Sequence, residues 1–176
     1  MPESDVAWLM SALVLPWTLK FLWAPMVDAV RTARWGLRSW IILAQVLMGL
    51  TLLPVAFLDL AEPVQRTWVV ALLVSHAFCA STQDVAIDAL AINSVPVPER
   101  GGVNGWMQVG MLSARAIFGG AALIAERWIG QAGVIFALVA CVWSSMVVLI
   151  LATQRVKLES AAASVRAAAA RFASTL

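Results

Sequence analysis

Ser81-Thr82-Gln83-Asp84-Val85-Ala86-Ile87-Asp88, with Pro98-Glu99-Arg100-Gly101-Gly102 ten residues on, decides how this chain is read. Two carboxylates four residues apart stand in a stretch otherwise apolar enough for a bilayer. On a helix that spacing puts both acids on one face, a turn apart. A charged side chain within hydrocarbon is costly and, as a rule, faces a protein interior or a wet cavity. The stretch therefore predicts a polar path through a membrane protein, with the rest of the chain as scaffold around it.

Composition points the same way. The 176 residues are 62% hydrophobic and 12% charged, with a mean hydropathy of +0.88. Soluble domains run near half apolar and a quarter charged. A net charge of +2 is too small to mark a nucleic-acid binder. Cys79 and Cys141 both lie in apolar runs and read as buried thiols acting as small hydrophobes, with no support for a disulfide or a metal pair. The opening Met1-Pro2-Glu3-Ser4-Asp5 is acidic, where a secretory signal would begin basic.

About 20 apolar residues cross a bilayer as a helix. By that ruler the chain predicts an all-α membrane protein with five spans, at about 6–27, 41–58, 67–92, 103–124 and 132–152. Pro16 interrupts the first span, which also carries Lys20; Gly49 and Pro54 lie in the second, and Arg115 in the fourth. The bundle takes residues 1–153 and an alanine-rich tail takes 154–176. Basic residues collect on one side: Arg31, Arg34, Arg38, Arg100, Arg155, Lys157, Arg166 and Arg171, against Arg66 and Arg127 opposite. That bias predicts a cytoplasmic tail and an amino terminus outside. Trp8, Trp40, Trp68, Trp106 and Trp128 fall near span ends, as an aromatic belt requires. In the tail, Leu158, Val165 and Phe172 recur every seventh residue, a stripe that fits either an interfacial helix or a solvated alanine helix.

Asp84 and Asp88 are the leading functional candidates, because a carboxylate inside a bundle can exchange a proton or cation during transport. The structural reading is that Asp88 bonds a neighbouring helix end or the loop arginines. Gln83 is a polar neighbour fit to hold Asp84 or touch a ligand. His76, two turns earlier, reads as a satisfied bundle histidine rather than a coupling group. Lys20 and Arg115, the intramembrane cations, either pair with the acids, attract an anionic solute across a wet cavity, or snorkel outward. Gly110, Ser113, Ala114, Gly119 and Gly120 read as small residues for close helix approach. Pro96 to Gly102 reads as a rigid turn whose prolines stop the helix and whose glycines permit unusual backbone angles.

Three stretches resemble the muropeptide permease and acetyl-CoA transporter family of the major facilitator superfamily. Leu19-Lys20-Phe21-Leu22-Trp23-Ala24-Pro25-Met26-Val27-Asp28 looks like the end of that family's second helix. Arg34-Trp35-Gly36-Leu37-Arg38-Ser39-Trp40 looks like a worn copy of its loop before helix three. Ala80-Ser81-Thr82-Gln83-Asp84 through Asp88, with Pro98-Glu99-Arg100-Gly101, looks like helix four and its following loop. The resemblance covers roughly Trp8 to Ala152 and implies helices two to six of twelve, a partial amino-terminal half of the facilitator fold. It implies a secondary transporter in a bacterial inner membrane, proton-driven, for cell-wall sugar-peptides or acyl-coenzyme A, with no cofactor and no enzymatic activity. Its partners would be lipid, a small-molecule solute, and a missing carboxy-terminal half or another copy of the chain. Asp28, Arg34, Gly36, Arg38, Glu99 and Arg100 would belong to gating loops. Two departures stand out: Asp28 is followed by Ala29 where the family has Arg, and Leu112 stands where a basic residue is common, with Arg115 a turn later.

Two rivals come from other classes. A membrane transferase would use Asp84 and Asp88 to hold a divalent metal, but such sites need more than two carboxylates and no second acid cluster exists. A non-transporting subunit would pack against another membrane protein through the glycine-rich fourth span.

Overall fold

The computed structural model describes residues 3–30, 32, 35–59 and 62–173, with side chains described within residues 7–154. Every regular element among them is helical. Helix α1 (Glu3–Leu19) passes through a 3₁₀ turn, Lys20–Leu22, into α2 (Ala24–Ala29). Helix α3 (Leu37–Leu52) tightens into a 3₁₀ segment, Leu53–Phe57. Helix α4 (Pro63–Ser94) is followed by a 3₁₀ turn, Val97–Glu99, and then α5 (Arg100–Ala114). A π-helical turn, Arg115–Gly119, leads into α6 (Gly120–Ala173), which is broken at Gly130. The result is five antiparallel limbs of an all-α membrane protein. Leu37–Phe57, Pro63–Ser94 and Val97–Gln154 are each long and apolar enough to cross a bilayer, the last holding two limbs; Ala7–Leu22 is a shorter apolar helix.

The breaks follow from backbone chemistry, and they correct two expectations. Pro16 does not interrupt the first limb. The helix runs through it and yields at Lys20–Trp23, just before Pro25, which opens α2. A proline at a first helical turn has no donor to lose, and it disfavours helical geometry in the residue before it. Pro54 tightens the second limb in the same way. Gly101 and Gly102 do not form the turn after α4 but lie inside α5; the glycine with positive φ is Gly130, at φ 68°. There a single left-handed residue reverses the chain between the last two limbs.

Two apolar clusters hold the bundle at its opposite ends. Val27, Leu37, Ile41, Val85 and Ala86 join α2, α3 and α4, with Leu149 of α6 against them. Leu52, Val55, Val69, Ile135 and Val139 join α3, α4 and the second part of α6 at the other end. Polar groups close the seams. Gln45 Nε2 donates to Ser145 Oγ at 2.9 Å. Gln131 Nε2 donates to the carbonyls of Val55 at 3.0 Å and Leu58 at 3.2 Å, where the 3₁₀ segment ends. Satisfying such carbonyls is obligatory in lipid, where no water can do it.

Close helix approach occurs elsewhere than expected. No atom comes within 4 Å of a Cβ built on Gly110, Gly119 or Gly120, and Ser113 and Ala114 are exposed. The close approach is at Gly49, where the indole of Trp143 lies over the space a Cβ would fill. Cys141 is likewise exposed rather than buried, while Cys79 is half-buried; both are free thiols. The tail backbone is helical to Ala173, but the stripe of Leu158, Val165 and Phe172 lies outside the described side chains.

Gly49→Ala should force Trp143 out of its seat and destabilise the bundle by about 1–3 kcal/mol, the usual penalty of overpacking. Thermal unfolding in detergent would show it, and adding Trp143→Phe should recover most of the loss.

Candidate functional site

The site is built on α4. Pro63 starts the helix, and Ser81, Thr82, Val85 and Ala86 form its buried face. Both hydroxyls donate to the same carbonyl, Phe78, each at 2.9 Å, so these buried donors are satisfied within their own helix. Asp84 and Asp88 follow at the border of that face and turn toward the first limb.

Lys20 meets both of them. Its Nζ lies 2.7 Å from Asp84 Oδ2 and 3.2 Å from Asp88 Oδ2. The three side chains are 36%, 31% and 42% exposed respectively. One flexible four-carbon stem spans two acids that the helix holds about 6 Å apart along its axis. Lys20 opens the 3₁₀ turn Lys20–Leu22 that follows α1. Trp23, at the end of that turn, packs on Phe78 of α4 with ring centroids 4.6 Å apart. Lys20, Asp28, Asp88 and Ile92 line a cleft of about 640 Å³ beside the ion cluster.

Arg115 is not part of this cluster. It starts the exposed π-helical turn and makes no ion pair with either acid among the described residues. Gln83 does not hold Asp84; its Oε1 is buried without a partner. His76 faces the Met48 carbonyl with Nδ1 at 3.1 Å. Gly36 and Arg38 border a separate cleft with Asn93, Thr153 and Gln154. Glu99 closes the turn before α5, and Arg100 Nε donates to the Val95 carbonyl at 3.3 Å. Arg34 lies outside the described residues. No group of three His, Cys, Asp or Glu side chains that could hold a metal ion occurs among the described residues.

Two residues that sequence reading missed face Asp88 across a second cleft. Asn104 and Gln108 of α5 line it together with Arg100. The signal was available: Arg100, Asn104 and Gln108 recur every fourth residue, a polar line on an otherwise apolar helix.

A lysine bridging two carboxylates inside an apolar helical bundle is the setting of an integral membrane protein. In sequence the chain resembles the muropeptide permeases of the major facilitator superfamily. It is 30% identical over 141 residues to the anhydromuropeptide permease of Escherichia coli (strain K12), a match covering 78% of this chain and 28% of that protein. It is 39% identical over 83 residues to putative transporter AmpG 4 of Rickettsia felis, covering 45% of this chain and 20% of that one. An uncharacterized protein of Haemophilus influenzae is 36% identical over 80 residues, 45% of this chain and 18% of the other. The chain thus matches less than a third of the length of these relatives. The two with functional names are a permease and a transporter, not enzymes. No family model matches, and no solved structure does.

Replacing Lys20 by Met should leave two like charges a turn apart with no counter-ion. Loss of one partner of a buried pair costs about 3–5 kcal/mol; with a third of each side chain exposed, about 1–3 kcal/mol is expected here. Asp84→Asn in the Lys20→Met background should restore part of it. A double-mutant cycle on thermal stability checks the coupling.

Proposed function

We propose that the chain forms part of a proton-coupled secondary transporter for muropeptide-like solutes, with Lys20, Asp84 and Asp88 as its intramembrane coupling site. The observation that carries this reading is the ion cluster itself. Two carboxylates and one ammonium leave a formal charge of −1 in a low-dielectric bundle, and uptake of one proton brings it to zero. Charge inside a bilayer is expensive, so the empty and protonated clusters favour different surroundings. That difference is what a transport cycle needs in order to couple a proton to a conformational change. The relatives named as permease and transporter support the same class.

Charge bias supports an inner-membrane orientation with the Arg38 and Arg100 ends in the cytoplasm and the amino terminus outside. In that placement Asp28, Gly36, Arg38, Glu99 and Arg100 would sit at the cytoplasmic ends of the limbs and contribute to gating. Transporters of this superfamily bind solute near the bilayer midplane between two halves. Five limbs would supply one wall of such a site, and a further set of helices, a carboxy-terminal half or a second copy of the chain, would supply the other. The metal-dependent transferase reading has no observation in its favour, since the acids are engaged by Lys20.

The test is uptake of a radiolabelled anhydromuropeptide by cells in which uptake depends on this chain. Asp84→Asn and Lys20→Gln should each lower the rate by about tenfold or more, the equivalent of one strong interaction. A protonophore should do the same to the unmodified protein. Uptake indifferent to the protonophore would remove proton coupling, and uptake indifferent to both substitutions would take the cluster out of the pathway.

A further inference from the structure

A further cleft, of about 610 Å³, lies where the start of α3, the end of α4 and the membrane-spanning part of α6 come together. Its polar lining is Arg38, Ser39, Asn93, Thr153 and Gln154. Unlike the two clefts that share Asp88, it has no carboxylate, and Arg38 gives it a positive formal charge. Arg38 makes no ion pair and no hydrogen bond among the described residues, so its guanidinium donors are open. Ser39 Oγ and the Gln154 amide likewise have no partner among the described residues. Asn93 Nδ2 and Thr153 Oγ1 donate to carbonyls of their own helices, at 2.8 Å and 2.7 Å. Open donors with no competing acid favour an anion, and a guanidinium fork matches a phosphate best.

The depth of the cleft says what carries that anion. Arg38 is the second residue of α3, at the edge of the apolar span Leu37–Phe57. Beside it Trp35 and Trp40 meet edge to face with ring centroids 5.8 Å apart, and Trp40 Nε1 donates to the Val30 carbonyl at 3.3 Å. Tryptophan, with a polar N–H on a large apolar ring, collects at the level of lipid headgroups. Each of the three helices then lines the cleft twice, with a polar residue at its end and an apolar one a turn deeper. The pairs are Arg38 with Ile42, Asn93 with Leu90, and Gln154 with Ile150. The cleft is therefore polar at its mouth and apolar toward the bilayer interior. A soluble anion matches only the mouth, whereas a phospholipid matches both levels.

We propose that this cleft is a binding site for an anionic phospholipid, its phosphate on Arg38 and an acyl chain along Ile42, Leu90 and Ile150. The site goes beyond the transport reading and depends only on the bundle lying in a membrane. A zwitterionic lipid brings the same phosphate together with a cationic amine, and this lining offers the amine no carboxylate. Headgroup charge is thus the basis of selection, as in other basic pockets between membrane helices.

The experiment is native mass spectrometry of the full chain released from detergent, titrated separately with phosphatidylglycerol and phosphatidylcholine of identical acyl chains. The unmodified chain should bind its first phosphatidylglycerol about tenfold more tightly than its first phosphatidylcholine. Arg38→Gln should lower the phosphatidylglycerol affinity by about tenfold, leave that for phosphatidylcholine unchanged, and so abolish the preference. Arg127→Gln, at the opposite end of the bundle, should keep it. Inorganic phosphate in large excess should not displace the lipid. Helical content and thermal transition are followed in parallel. Should Arg38→Gln fail to fold, Arg38→Lys is read in its place; it keeps the charge, loses the fork, and should bind phosphatidylglycerol about threefold more weakly. Equal affinity of the unmodified chain for the two lipids overturns the site. So does a preference that the folded Arg38 variant leaves untouched or that Arg127→Gln removes. Displacement by inorganic phosphate would assign the cleft to a soluble anion and overturn the lipid as its occupant.

Discussion

A single ammonium shared by two carboxylates is the constraint around which this bundle is arranged. Neither acid is tolerable alone in hydrocarbon, and a helix that places them a turn apart makes each worse for the other. Lys20 resolves both problems from a neighbouring limb. In doing so it ties the first limb to α4, beside the apolar packing of Val27 on Val85 and Ala86. The second tie, Trp23 on Phe78, lies within one turn of it. The 3₁₀ turn between α1 and α2 starts at the same lysine. Local backbone irregularity and the ion cluster thus coincide in sequence at Lys20.

The five limbs are unequally held. Helices α3 and α4 and the second part of α6 share both apolar clusters and the Gln45–Ser145 and Gln131 seams. Helix α5 has no buried residue, and it continues through a π-helical turn to the glycine break. Its apolar side chains, Trp106, Val109 and Leu112 among them, point away from the bundle. In water such a limb would be a defect; in a bilayer, lipid solvates it as well as protein would. Elements with few buried contacts open at low free energy. The cleft at Asp88 thus has one firm wall, α4, and one wall whose position is weakly fixed.

Much of this was legible in the sequence, and the limits are physical. Hydropathy marked an all-α membrane protein because the bilayer demands length and apolarity before anything else; three helices meet that demand outright, and Ala7–Leu22 is shorter. Four-residue spacing put Asp84 and Asp88 on one face, since helical period is local. Which cation answers them is not local. Lys20 and Arg115 were equal candidates from sequence, and only the packing of α1 on α4 decided it. Pro16 was a false break because a proline kink is optional inside a membrane helix, while Pro25 at a helix start marks a real one. Gly101 and Gly102 were mistaken for turn glycines, although glycine is also common inside membrane helices; Gly130 gave no local cue beyond its type. Gly49 shows the converse, where the need for glycine arises from an indole almost a hundred residues away in sequence.

Asp88 is where these strands meet. Its Oδ2 answers Lys20 at 3.2 Å, the longer of the lysine's two bonds, and the same carboxylate borders the cleft with Asn104 and Gln108. Binding free energies are reciprocal, so any solute that senses the ion cluster must be sensed by it to the same degree. Asp84 holds Lys20 at 2.7 Å, so a change of partner by Asp88 would not in itself leave the lysine unpaired. On the proposed coupling role, two acids rather than one would permit that: the one bound at 2.7 Å anchors the cation while the one bound at 3.2 Å responds.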